Sequence, residues 1–321
     1  MLVKKLYITV CAFLLALASF ATTTYAWFFL AQDVTVGNLA MTISNDKFLE
    51  LSLDGVNYSD SITADEIKYT IGDALDFTNV TTLNGKDYFS SYTHSTVPRK
   101  NIDYISFDIW FRVQDDYYDG VYLYNNISRY YNYEIATKES LDGTFVFSEG
   151  INYQTTVTFK YSDTEIREKN SVNKYHAADA IRIGIKEQTV DAVELVNQDL
   201  RTENDLAGFI YDPSENEERG FGEPFGGFDM YSIKTNQVLV APEAPDTKTN
   251  LTALKYNYYA IDNTSLCASF QEGADGRYYA KANVKIWLEG WDPDCLDAIY
   301  LDKIVMQLQF KCAIKPIAQT N

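Results

Sequence analysis

The chain has 321 residues, of which 46% are hydrophobic and 15% aromatic, and its formal net charge is −18 at pH 7. The apolar content is enough for a folded core and excludes a disordered acidic tail. The charge excludes nucleic acid and anionic lipid surfaces as expected partners of the body, because both are themselves negative.

The N-terminus has the pattern of an export signal. Lys4 and Lys5 precede a long uncharged apolar run, and Thr24 and Ala26 are small residues three and one positions before a cleavage site. We therefore predict that residues 1–26 are a signal peptide. Cleavage would remove two lysines and no acid, which changes the net charge from −18 to −20.

The same uncharged run, residues 6–31, is also long enough to be an uncleaved membrane anchor. In both cases the lysines keep the N-terminus cytoplasmic and place the body across the membrane. We expect a protein that is secreted or held at the cell surface, with membrane contact only through this N-terminal segment.

The region around the predicted cleavage site resembles a known family. Residues 21–28 (ATTTYAWF), followed by the strand-like residues 34–43, resemble the N-terminus of TasA/camelysin-type exported proteins of Gram-positive bacteria. Residues 286–295 look like a phrase found in uncharacterised Firmicutes surface proteins with the same leader. The resemblance covers about the first 45 residues. It implies a cell-surface or biofilm-matrix fibre protein with a jelly-roll fold. Camelysin is also described as a metallopeptidase, and that activity has to be tested against the residues of this chain.

The residues after the cleavage site form an apolar segment and a predicted strand. Such a segment is costly to expose to water, so we expect it to lie in this subunit or to pair with the sheet edge of a neighbour. The predicted assembly strand contains Trp27, Phe28, Val34, Val36, Leu39 and Met41.

Apolar residues alternate with polar ones along much of the chain, which is typical of antiparallel strands with one face in a core. The clearest runs are residues 106–113, 156–161, 283–288 and 304–310. We predict an all-β fold, an antiparallel and jelly-roll-like β-sandwich with long loop excursions and one or two short helices. The first strands (34–58) and the last strands (280–314) are expected to share its core.

Three further local predictions follow in chain order. Asp54-Gly55 predicts a hairpin with a two-residue turn. Apolar residues at helical spacing predict a helix over residues 190–200. A proline-rich stretch at residues 241–249 is a candidate linker, so that residues 27–321 form either one elaborated sandwich or two sandwiches joined there.

Tyrosines are concentrated in two parts of the chain, residues 117–133 and 256–279. On strands they could form a stacking platform for sugars, a surface for self-association, or an ordinary sheet surface with cross-strand pairs.

Acidic residues near the C-terminus offer a candidate cation site. Asp292, Asp294 and Asp297 could supply oxygen ligands to Ca²⁺, but their spacing matches no EF-hand loop and better fits a solvated acidic turn that caps a short helix. We expect no other cofactor.

Three cysteines remain after cleavage: Cys267, Cys295 and Cys312. One disulfide with one free thiol and three free thiols are both compatible with the sequence.

No catalytic motif is present. The two histidines, His94 and His176, do not form a His-Glu-x-x-His pair, and there is no nucleophile elbow or phosphate loop. The sequence predicts a protein that is not an enzyme. We expect a secreted structural or adhesive protein that assembles with itself or with other surface or matrix proteins or glycans. A carbohydrate-binding module is the alternative, and a hydrolase is third.

Overall fold

A computed structural model of the chain describes residues 39–44, 48–90, 92, 96–129, 132–137, 141–191, 193–214 and 220–316. In chain order the strands are β1 (Leu39–Ser44), β2 (Glu50–Ser52), β3 (Ser61–Ile62), β4 (Asn79–Thr82), β5 (Tyr88–Ser90), β6 (Ile105–Val113), β7 (Gly120–Leu123), β8 (Phe145–Ser148), β9 (Ile151–Gln154), β10 (Phe159–Lys160), β11 (Ile166–Arg167), β12 (Val172–Tyr175), β13 (Ile181–Gln188), β14 (Gly208–Tyr211), β15 (Thr247–Lys248), β16 (Leu254–Lys255), β17 (Tyr259–Ala260), β18 (Leu266–Ser269), β19 (Gln271–Glu272), β20 (Tyr278–Glu289) and β21 (Ile304–Ala313).

These strands form two large sheets and three small pairs. The six-stranded sheet has the order β18-β7-β21-β1-β3, with β8 beside β21. The nine-stranded sheet has the order β15-β14-β13-β20-β4-β5, with β6 and β19 also beside β20 and β2 beside β6. The pairs are β10 with β11, β9 with β12 and β16 with β17.

The two large sheets share one hydrophobic core. Phe111 on β6 meets Phe310 on β21 with ring centroids 5.1 Å apart, and both side chains are fully buried. Apolar residues of β1, β7, β13, β18 and β20 join the same cluster. The prediction of an all-β fold with a few short helices is confirmed.

The first and last described strands lie side by side. β1 runs parallel to β21, with Leu39 opposite Ile304 and Ser44 opposite Gln309. The regions predicted to share a core therefore do so. Most strand pairs of the described residues are antiparallel, as predicted, while β4 is also parallel to β20 and β15 to β14.

The polar face of β20 is covered rather than wet. The predicted alternation is present, because Val284 and Ile286 enter the core. The polar side chains on the other face are nevertheless also buried: Lys281, Asn283 and Glu289. The β4–β5 hairpin crosses this face, with Tyr88 packing edge-on against Trp287 at 5.3 Å between ring centroids. Side chains of the β4–β5 hairpin thus cover part of this face.

The described residues contain three α-helices: α1 (Ala64–Ile71), α2 (Tyr133–Ala136) and α3 (Gly227–Thr235). α1 begins with a capping box, in which Thr63 and Glu66 each accept the other's backbone N–H. Within the described ranges, no helix combines the length and the apolar character needed to cross a membrane.

The helix predicted over residues 190–200 is wrong. Backbone groups of this segment bond to β19 and the turn after it instead, since Val196 N–H donates to the Glu272 carbonyl and the Glu194 carbonyl accepts from Ala274 N–H. The apolar spacing predicted a helix face in the core, but Leu200 is mostly exposed. β-branched residues at three of the apolar positions add little helix propensity.

Two connections differ from their expected form. The chain reverses direction after β2, as predicted. Because the backbone of Leu51 bonds to that of Ser59, the turn is longer than the predicted two residues. Asp54 stabilises it by accepting N–H groups of Val56 and Asn57, both at 2.8 Å. In the candidate linker, β15 pairs with β14, so part of residues 241–249 belongs to the nine-stranded sheet.

Candidate contact surface

The structure brings together parts of the two tyrosine-rich regions. Tyr117 precedes β7, whose first residue, Gly120, is opposite Ala313 at the end of β21. The next residue, Ile314, donates its N–H to the Tyr258 carbonyl at 2.8 Å. Both regions are therefore fixed at the same end of β21, and the Tyr117 and Tyr258 ring centroids are 5.9 Å apart.

The β16–β17 hairpin presents tyrosines at its tip. Tyr258 N–H donates to the Lys255 carbonyl at 3.1 Å, and Tyr256 and Asn257 between them have φ values of 52° and 65°. Two positive φ angles indicate a type I′ turn, a conformation that asparagine tolerates and that strains tyrosine. The strained Tyr256 side chain is 78% exposed. Strain at an exposed aromatic residue is a reason to look for function there.

Six aromatic side chains form one surface cluster, which we call the tyrosine patch. Phe48 contacts Tyr118, which contacts Tyr117. Tyr117 in turn contacts Tyr258 of the hairpin, and Tyr258 contacts both Tyr256 and Tyr259. Four of the six side chains are classed as exposed. The patch consists of Phe48, Tyr117, Tyr118, Tyr256, Tyr258 and Tyr259.

The rings of the patch do not share a plane. Successive pairs have interplanar angles between 33° and 89°. A sugar ring stacks flat on an aromatic face, so a platform for several sugars needs coplanar faces. Tilted rings offer faces and edges in several directions, which suits the irregular surface of a protein.

Three other tyrosines of the two tyrosine-rich regions lie outside the patch and make contacts within the protein. Tyr122 is buried and donates to Asn263 Oδ1 at 2.8 Å. Tyr279 is also buried and donates to Asp275 at 2.7 Å. Tyr124 lies beneath the Lys311 ammonium, 3.8 Å from the ring centroid.

The predicted assembly strand is only partly described. Leu39 and Met41 lie in β1, and the Met41 side chain is 2% exposed in the core. Their strand already pairs with β21 of the same chain. The other predicted residues lie outside the described residues, as does the predicted cleavage site: Trp27, Phe28, Val34, Val36, Thr24 and Ala26.

The three aspartates of the candidate Ca²⁺ site have partners within the protein. Asp292 is buried in an ion pair with Arg182, while Asp297 forms an ion pair with Lys234 at 2.6 Å. Asp294 is buried and its N–H donates to Asp292 Oδ1 at 2.8 Å. In the described parts of the chain, no three His, Cys, Asp or Glu side chains are grouped to hold a metal ion.

Sequence reasoning missed a buried ionic centre around Arg182. This side chain is 4% exposed and bridges two carboxylates, Asp292 and Asp212, the latter at 2.8 Å. Burial raises the pKa of Asp292 well above its usual range, and the Arg182 charge opposes that rise. Burial likewise raises the pKa of Glu289 nearby. A lone arginine in an alternating strand gives no sign of such partners.

A groove of about 900 Å³ lies beside this centre. Four aromatic side chains line it, together with the Arg99–Asp103 ion pair and several hydroxyl and amide groups. Tyr300 is the most open of its rings, with an exposed fraction of 47%. The groove's aromatic residues are Phe77, Tyr92, Tyr231 and Tyr300.

The remaining candidate chemical groups are structural. Cys267, Cys295 and Cys312 are all buried and form no disulfide with one another, and burial raises the pKa of the first two well above the usual value. His176 lies with its Nδ1 3.2 Å from the Ser148 carbonyl, and His94 is outside the described residues. Reactive cysteines are thiolates, so the raised pKa values of Cys267 and Cys295 disfavour their reactive form.

Comparisons of the chain with protein-family models, with curated proteins and with solved structures gave no match.

Proposed function

We propose that this chain is an exported structural or adhesive protein of the cell surface or extracellular matrix, and that it associates with a second copy of itself through the tyrosine patch. The observation that carries the proposal is the convergence of aromatic side chains from three separate segments on one exposed surface. Contiguous exposed aromatic surface of this kind is enriched at protein–protein contacts.

The charges that flank the patch favour a second copy as the partner. The acidic side of the patch carries the exposed Asp115 and Asp116, which precede Tyr117, and its hairpin carries the exposed Lys255, which precedes Tyr256. In a two-fold contact each copy presents the same surface to the other, so the acidic side of one copy meets the lysine of its partner. This pairing offsets locally the repulsion that the net charge of −18 imposes on two copies.

The proposal predicts a concentration-dependent mass that depends on the patch. Light scattering of residues 27–321 is expected to show association, and Tyr256→Ser with Tyr259→Ser is expected to weaken it at least about tenfold, since exposed aromatic anchors dominate such contacts. Tyr69 is 92% exposed on α1, outside the patch. Tyr69→Ser is the matched control and should associate like the unchanged protein.

The same experiment separates the carbohydrate-binding alternative, which the aromatic groove favours. A sugar-binding monomer would keep one mass at every concentration, and its binding would not depend on the tyrosine patch. A persistent monomer therefore contradicts self-association and directs attention to the groove around Tyr300.

A further inference from the structure

A second surface depression lies on the covered outer face of the nine-stranded sheet. Strand register defines its floor. Gly184 of β13 is opposite Lys285 of β20, and Lys186, two residues along β13, is opposite Gly208 of β14. Lys285 and Lys186 are thus diagonal neighbours on adjacent strands, about 7–8 Å apart at their backbones. A Cβ on Gly208 would lie 2.8 Å from Lys186 Cδ, so this glycine makes room for the Lys186 side chain.

Two loops complete the depression, which we call the lysine pocket. The turn between β4 and β5 contributes Lys86, and the second loop, which ends in β15, contributes Lys248. The enclosed volume is about 270 Å³. Among the described residues that line it there are four lysines and one carboxylate, Asp246. This excess of positive charge stands in a chain whose net charge is −18.

Two of the four ammonium groups are neutralised and two are not. Lys86 pairs with Glu203 at 2.6 Å, and Lys248 pairs with Asp246 at 2.7 Å. Among the described residues, Lys186 and Lys285 have no carboxylate within ion-pair distance.

The two unneutralised lysines are held by neutral groups. Lys186 Nζ donates to the Leu206 carbonyl at 2.7 Å. Lys285 Nζ lies 4.7 Å from the Tyr88 ring centroid and 3.5 Å from the Gly85 carbonyl. A partly buried ammonium with only neutral partners is an incomplete electrostatic arrangement.

Proton affinities agree with this geometry. Burial lowers the pKa of Lys186 and the positive charge of Lys86 lowers it further, while the charges of Glu203 and Glu187 oppose the shift. Burial and the charge of Lys100 lower the pKa of Lys285, against the opposing charge of Asp87. An anion between the two lysines would relieve both effects.

We propose that the lysine pocket binds a phosphate group, with the ammonium groups of Lys186 and Lys285 as its principal contacts. Lysine binds phosphate as a compact point charge, and the pocket contains no guanidinium fork that would select a planar carboxylate. The volume admits a phosphate and the atoms next to it. The phosphate could belong to a small monoester or to one unit of a phosphodiester polymer.

The test is calorimetric titration of the protein with inorganic phosphate, glycerol 3-phosphate and a short poly(glycerol phosphate). We expect saturable binding, and Lys285→Met should weaken it about tenfold, the loss of one charge-assisted contact. Lys285→Arg keeps the charge and should retain most of the affinity. Lys169 is exposed outside the pocket, so Lys169→Met should bind like the unchanged protein.

Proton linkage gives a second readout. Bound phosphate raises the pKa of neighbouring lysines, so above neutral pH binding should take up protons, and the measured heat should vary with the ionisation enthalpy of the buffer. Tighter binding of the polymer than of glycerol 3-phosphate would assign the site to a phosphodiester chain, and the reverse order would assign it to a small monoester. Absence of saturable binding for all three probes, or equal losses in Lys285→Met and Lys169→Met, would overturn the proposal.

Discussion

At the residue scale, the most consequential interaction is one that the sequence hides. Arg182 neutralises two buried carboxylates, Asp212 and Asp292, that are distant from it in sequence. Asp292 was foreseen only as a cation ligand or a solvated acid. Its real partner depends on strand register, which brings β13 beside the end of β20. Local sequence carries no information about that register.

Replacing Arg182 should leave both carboxylates buried without a counter-charge. Arg182→Met is expected to lower the free energy of unfolding by about 3–5 kcal/mol at neutral pH, measured by urea denaturation. Arg277 makes only a long and exposed ion pair with Asp275, at 3.9 Å. Arg277→Met is the control and should cost less than about 1 kcal/mol. Equal losses of unfolding free energy in the two variants would show that the buried ion pairs stabilise the protein no more than the exposed one.

The loss should also depend on pH. Burial raises the pKa of Asp292 in the folded state, so folding takes up a proton on this group. Stability then falls as pH rises from the unfolded value of about 3.9 toward the raised folded value. Removing the Arg182 charge raises that folded pKa further, so Arg182→Met should lose less stability at about pH 4.5 than at neutral pH.

At the element scale, α3 is held against the turn after β20 by two glycines without side chains. Gly226 has a φ of 63°, and a Cβ there would lie 2.0 Å from the Pro293 carbonyl oxygen. A Cβ on Gly227 would lie 2.3 Å from the Cys295 carbonyl oxygen. These two glycines therefore mark the site where a helix meets a turn at backbone contact.

Gly226→Ala should separate α3 from that turn. Because the added Cβ meets backbone atoms, we expect a loss of about 2–4 kcal/mol in thermal or urea unfolding. Gly276 has a similar φ of 78° but no atom within 4 Å of an added Cβ. Gly276→Ala carries the conformational cost alone, about 1 kcal/mol. A smaller loss at Gly226 than at Gly276 would contradict the close packing.

The elements differ in how far the sequence predicts them. Long alternating runs gave β6, β20 and β21 because inward-facing apolar residues recur every second position. α1 could have been found from its capping box at Thr63 and Glu66. The segment over residues 190–200 could not be resolved, since its backbone partners lie far away in sequence. The sequence shows the two tyrosine-rich regions. That they meet at one end of β21 could be predicted only from the order of the strands in the sheet.

At the scale of the whole molecule, β21 is the strand on which the six-stranded sheet depends. It pairs with β1 along one side and with β8 and β7 in succession along the other. Nine of its ten residues are buried. No other strand of this sheet has three neighbours among the described residues.

A chain that ends at Lys303 should therefore fail to fold, whereas one that ends at Pro316 should fold normally. The first lacks the strand that joins β1 to β7 and β8, and the second keeps all described strands. Circular dichroism and resistance to protease measure the difference. A protease-resistant product from the shorter chain would show that the nine-stranded sheet folds without its partner sheet.

The parallel pairing of β1 with β21 also sets an order of events in time. Among the described strands, the one synthesised first waits for the one synthesised last, because the two are direct neighbours. Contacts between residues so far apart in sequence close slowly and late. If the chain crosses a membrane from its N-terminus, the six-stranded sheet cannot close until β21 has emerged. Until then β1 is left without the parallel neighbour that covers its edge, and exposed strand edges are sites of unwanted pairing with other chains.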